Sequence, residues 1–181
     1  MDAPIQIRKG LCIRLAGAPA RELADAADVR QITVTPADFK GMKPRLLVQE
    51  GQPVKRGTAL LQDKKHESIL VTAPSAGTVK QVVYGARRVI EGIVIDVAPA
   101  DIAESFPTFT EESVLKASRE EIVGILCKSG LIGLLRQRPF SGIPSPSATP
   151  KAVFVNAMAT APHRADAATV VQGRGRNSRP D

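Results

Sequence analysis

The residues with chemistry to offer are few. "QDKKHES" (62–68) places two adjacent lysines, Lys64 and Lys65, in a charged cluster after the apolar run "ALL" (59–61). A lysine on an exposed hairpin tip can form an amide with a carboxylated cofactor and carry it as a swinging arm. The same cluster can equally be a solvated turn that keeps a hairpin soluble. Arg136, Arg138 and Phe140 form a second group, a basic and aromatic rim in "RQRPFSG" (136–142). Such a rim can meet a polar headgroup or another protein, or its arginines can simply cap the last turn of a helix through the helix dipole. His66 and His163 are the only histidines, and neither has Asp or Glu at ligand spacing. No metal site or catalytic base follows from them. Cys12 and Cys127 stand alone, without a CxxC pair, and read as two reduced, buried thiols. No catalytic residue, metal ligand, Walker loop or Ser-His-Asp order can be assembled. "GRGRNS" (173–178) follows no strand and does not make a dinucleotide fingerprint.

The elements that must position these residues divide the chain. At 181 residues and 43% hydrophobic content it can hold one ordinary domain, or a small one plus part of another. The net charge of +7 could suit nucleic acid, but with 3% aromatic residues there is no stacking platform. No apolar run is long enough for a membrane helix and the N-terminus lacks a secretory h-region, so the cytoplasm is the expected compartment.

Short segments rich in Val, Ile, Leu and Thr run from Gln31 to Val97, separated by Gly, Pro or charged turns: 31–35, 45–49, 59–62, 69–73, 78–83 and 89–97. Their spacing predicts an all-β sandwich or barrel over residues 1–100, whose apolar faces need no later residues to cover them. Gly51, Gly57 and Gly77 are read as left-handed or tight reversals in two strand-turn-strand units. Residues 101–150 are a connector. Within it, Ser118 with Glu121 predicts a capping box opening a helix that stops at Gly130, and the proline-rich 139–150 is extended. "KAVFVNAM" (151–158) predicts a buried strand, the start of an α/β domain over 151–170, and 171–181 is a polar, disordered tail.

The Gly-bracketed turns and hairpin lysines resemble biotinyl and lipoyl domains, although the Met-Lys-Met centre of biotin carriers is missing. Taken together, "IRKGLCIRLAGAP", "DFKGMKPRLLVQEGQPVKRGTALLQDKK", "TAPSAGTVKQVVYGARRVI" and "RQRPFSGIPSPSATPKAVFVNAMATAP" resemble the A-subunit family of bacterial sodium-translocating NADH:quinone oxidoreductases. The resemblance spans about residues 5–170 and fails from about Val171, so the chain is read as a truncated or frame-shifted family member. It implies a barrel-sandwich hybrid of biotinyl/lipoyl type, followed by a helical connector and the opening of a Rossmann-like α/β domain. It also implies a peripheral subunit, with no transmembrane segment, on the cytoplasmic face of the bacterial inner membrane. The complex passes electrons from NADH through flavins and an iron-sulfur centre to ubiquinone and exports sodium, and those redox groups belong to other subunits. Partners are those subunits and ubiquinone, with no nucleic acid. Distant relatives of the family bind flavin on a glycine-rich loop after the helix. Leu134, Leu135, Arg136 and Gln137 stand in that place here, which argues against a flavin site. Arg136, Arg138 and Phe140 are then candidate quinone or subunit contacts, and Lys64 or Lys65 is the attachment point if the chain is instead a carrier.

Overall fold

The computed structural model describes residues 26–156, together with 15–20, 24, 161, 163–165 and 169. All six predicted segments contain strands, and a seventh, β3, falls in the 51–57 stretch expected to be a turn: β1 (Gln31–Val34), β2 (Pro44–Leu46), β3 (Pro53–Val54), β4 (Ala59–Asp63), β5 (Leu70–Thr72), β6 (Gly77–Tyr84) and β7 (Ile90–Val97). They make two antiparallel sheets, one in the order β1-β7-β6-β3 and the other β2-β4-β5. Neither closes into a barrel. The core lies between the sheets and contains Leu60, Leu61, Val71, Val79, Ile93 and Ile95.

An ideal strand turns successive side chains to opposite faces. Yet Leu60 and Leu61 are both fully buried. A register shift between Ala59 and Leu61 resolves the conflict, because the irregularity turns both leucines into the core. β6 has a similar shift between Val79 and Gln81. The Glu50–Gln52 turn is bonded to β6 there: Gly51 N donates to Val79 O (2.7 Å) and Val79 N to Gln52 O (2.9 Å). Glu50 Oε1 accepts from Val82 N at 2.7 Å.

Gly51 and Gly57 do take the left-handed conformation expected of them, with φ of 82° and 98°. Gly77 does not, and here the sequence reading is corrected. It is a strand residue paired with Val54 and Val97, and its missing side chain serves close approach instead. A Cβ there would fall 2.1 Å from the carbonyl oxygen of Asp96.

The stretch after β7 is more than a loose connector. Residues 101–106 lie along the 55–58 turn. Arg56 N donates to Ile102 O (2.9 Å) and Glu104 N to Arg56 O (2.8 Å), and Arg56 pairs with Asp101 at 3.2 Å. A short helix not foreseen from the sequence, α1 (Glu111–Lys116), opens on a full capping box made by Thr110 and Ser113. The predicted helix is α2 (Arg119–Lys128). Ser118 caps it by accepting from Glu121 N, the backbone half of the expected box. Gly130 ends it in the left-handed conformation, with φ of 78°.

This helix covers part of the β sheets, contrary to the expectation that they need no later residues. Ile69 is buried in a second cluster with Cys127 and Ile132. At the edge strand β5, Thr72 Oγ1 donates to Ser129 O at 3.1 Å. Residues 28–150 accordingly form one contact unit, and residues 1–27 with 151–181 form another. In the latter, 151–156 is not the buried strand expected. No strand pairs with it among the described residues, and Val153, Phe154 and Val155 are exposed. A strand needs a partner for its backbone N–H and C=O groups. The remainder of 151–158, Cys12, most of 1–30 and the 171–181 tail lie outside the described residues.

Three outcomes are expected. Gly77→Ala should cost about 3 kcal/mol in urea unfolding, because the obstruction is backbone. Gly85→Ala, where only the Glu91 side chain is in the way, should stay within about 1 kcal/mol; equal losses would remove the close-approach argument. Limited proteolysis should leave a core that retains α2, and a stable product ending between Ala98 and Pro107 would contradict the docking of the helix. Finally, burial pushes the Cys127 thiol up, opposed by a hydrogen bond with Ser68. The folded state therefore holds this proton to higher pH than the unfolded chain. The resulting stability is present below the ordinary thiol value of about 8.5 and is lost as pH rises beyond it. In a Cys12→Ser background, the urea midpoint should fall more between pH 7 and 10 than it does once Cys127→Ala is added, and Cys127 should resist thiol reagents at pH 8.

Candidate functional site

Lys64 and Lys65 occupy the β4–β5 connection and both are exposed, as a hairpin tip requires. The tip is tied down at its base. Asp63 is buried, and its Oδ1 accepts from Lys43 N (2.9 Å) and Lys65 N (3.1 Å). Lys64 N donates to Lys43 O at 2.8 Å. One buried carboxylate thus holds the approach to β2 against the hairpin that carries the lysines. Lys65 Nζ reaches Gly41 O at 3.5 Å. Lys64 Nζ has no such partner among the described residues.

The second group separates into different roles. The Arg136 guanidinium donates to Gly133 O and Leu135 O on its own turn, and to Asp38 O at 3.3 Å on the 3₁₀ turn Pro36–Asp38. It thereby ties the 3₁₀ turn Leu131–Leu134 to the loop that follows β1. Arg138 and Phe140 lie on a small loop closed by a Gln137–Gly142 bridge, in which Gln137 N donates to Gly142 O and Ser141 N to Gln137 O, each at 2.8 Å. Phe140 stands at the tip of this loop, 81% exposed, next to Arg138. All three residues are exposed; Arg136 makes hydrogen bonds to backbone carbonyls, and Arg138 makes none among the described residues. Leu134 and Leu135 are exposed beside them.

Sequence reasoning missed a third feature, an open groove of about 480 Å³. Met42, Leu46 and Val89 line it together with Lys43, Lys64 and Arg88. Val89 is 58% exposed and Tyr84, also at the groove, 49%. The β6–β7 connection that supplies Arg88 and Val89 places two consecutive non-glycine residues, Arg87 and Arg88, in the left-handed region, with φ of 55° and 58°. Such backbone costs energy and persists only where its surroundings impose it. The doublet "RR" before "VI" was the only sequence signal, and nothing local linked it to Lys43 or Lys64.

No three His, Cys, Asp or Glu side chains are grouped to hold a metal among the described residues. No described helix is long and apolar enough to cross a membrane.

Comparison with known proteins supplies the family. Residues 5–98 match a family model described as the NqrA N-terminal barrel-sandwich hybrid domain, and residues 117–179 match the NqrA second alpha/beta domain. The second match begins at Ala117, just before α2, and so includes that helix, which packs with the β sheets here. The Na(+)-translocating NADH-quinone reductase A-subunit of Teredinibacter turnerae is 40% identical over 170 residues, which cover 94% of this chain and 38% of the relative. The A-subunit of the same enzyme from Saccharophagus degradans is 41% identical over 167 residues, covering 92% and 37%, and that from Serratia proteamaculans is 39% identical over 168 residues, covering 92% and 37%. The chain thus spans less than two-fifths of the length of these relatives. Over that span, with both domain models matching in order, the chain belongs to the A-subunit family of the Na+-translocating NADH-quinone reductases.

Proposed function

We propose that the chain serves as the N-terminal part of a subunit in a sodium-pumping NADH:ubiquinone oxidoreductase, peripheral on the cytoplasmic face of the inner membrane. It contributes to quinone reduction and assembly without a redox centre of its own. The supporting observation is the ordered match of nearly the whole chain to relatives that carry this name. NADH, flavins, an iron-sulfur centre and ubiquinone are then groups of the complex. In domain terms, residues 1–100 supply the β scaffold, 101–150 the docked helical segment, and 151–170 the opening of the second domain.

Within that reading, the 137–142 loop is the contact point for a quinone headgroup or a neighbouring subunit. Phe140 exposes a large apolar face two residues from the Arg138 cation, and both residue types are enriched at protein interfaces. Arg136 supports the loop from behind through Gly133 and Asp38. The test is co-expression of the full chain with the remaining subunits of a relative's complex, followed by affinity capture. The chain should co-purify, and Phe140→Ala with Arg138→Ala should weaken retention about tenfold, the equivalent of about 1.4 kcal/mol. Failure of the unaltered chain to co-purify would count against the subunit role. Full retention by the double variant would remove only the loop's part in it.

The exposed hairpin position of Lys64 keeps the carrier reading specific enough to test. Intact mass after expression with active lipoate and biotin ligases should show no increment. A stoichiometric lipoyl or biotinyl addition abolished by Lys64→Arg or Lys65→Arg would establish the carrier instead.

A further inference from the structure

From the groove between the loop before β2 and the β6–β7 connection, we infer that this end of the β domain binds the headgroup of an anionic phospholipid. Two properties of the groove, its charge and its apolar lining, define the occupant. Lys43, Lys64 and Arg88 bring cationic side chains to one opening from three separate stretches of chain. Arg45 lies there too, but it is paired with Glu67 at 3.6 Å and hydrogen-bonded to Gln62. Among the described residues, the side chains of Lys43, Lys64 and Arg88 have no ion-pair or hydrogen-bond partner. Between the cations the lining is apolar, from Met42, Leu46 and Val89.

A free phosphate would use only the charges and leave the apolar lining wet. An extended acidic peptide would need a strand edge to pair with. β2 is the edge available, and Pro44 opens it without a backbone N–H. A phospholipid matches both features: its phosphate meets the cations while the glycerol and first methylenes cover Met42, Leu46 and Val89. Basic clusters beside apolar side chains hold anionic membrane surfaces in this way, and each cation near the surface adds to the attraction. The β6–β7 connection that brings Arg88 to the opening carries the left-handed Arg87–Arg88 backbone. This inference does not rest on the proposed subunit role, and its test needs no other subunit.

The experiment is flotation of the full chain with vesicles of phosphatidylcholine alone or with 30% phosphatidylglycerol at about physiological salt. Because the +7 chain will bind anionic surfaces somewhat wherever its charges lie, the comparison is between two charge-matched variants. Lys64→Glu with Arg88→Glu should lower partitioning onto the phosphatidylglycerol vesicles at least tenfold, while Lys116→Glu with Lys128→Glu, on the helices, should change it less than threefold. Equal losses would reduce the effect to net charge and overturn the inference. Unchanged flotation of the groove variant would overturn it as well and favour an acidic protein segment as occupant. A second measurement does not depend on the variants folding. Short-chain dihexanoyl phosphatidylglycerol should shift the backbone amide signals of Met42, Lys64 and Val89 in the unaltered chain, whereas inorganic phosphate at the same concentration should not. Shifts spread evenly over the surface, or equal with phosphate, would contradict a built groove.

Discussion

Two small sheets can bury a core only if enough side chains point inward. The placement of both Leu60 and Leu61 inside is the constraint on which the rest of this domain depends. Each fully buried leucine is worth about 1.5–3 kcal/mol over an exposed one. A regular β4 would have buried one and exposed the other. The register shift keeps both and bends the strand. Further along the same strand, Asp63 is inside as well, where its carboxylate holds the loop before β2 against the hairpin that carries Lys64. The position of that lysine follows from core packing three to four residues away.

Sheets this small have exposed edges for a large part of their perimeter, and the two edges of the β2-β4-β5 sheet are managed differently. β5 is covered by the end of α2, through Thr72, Ser129 and the left-handed Gly130. Cys127 and Ile132 bury Ile69 behind it. β2 is blunted by Pro44 and has the open groove beside it. The covered edge makes the helical segment part of the β unit. The uncovered one leaves apolar and cationic side chains facing solvent.

The turns at Gly51 and Gly57 answer a backbone requirement, a reversal at positive φ, that is independent of any chemistry attached to the fold. On its surface this chain carries the Arg138–Phe140 loop on the segment after α2, and a groove lined from three stretches of chain.

Alternating Val, Ile and Leu with glycine punctuation determined the strands, and Ser118 and Gly130 determined where α2 begins and ends, because these signals are local and act within a few residues. The ordered motifs were enough to reach the family. Tertiary structure alone decided the rest. Gly77 looked like a turn residue, but its role depends on a carbonyl nineteen positions away on β7. Arg136 was readable as a rim contact or a local helix cap, but its bond to Asp38, 98 residues earlier, was not. "KAVFVN" had the composition of a buried strand, but composition supplies no strand to pair with, and no strand is formed over 151–156. The groove needed Lys43, Lys64 and Arg88 from three loops. Side chains that far apart in sequence meet only through strand pairing and core packing, and no local pattern records such a meeting.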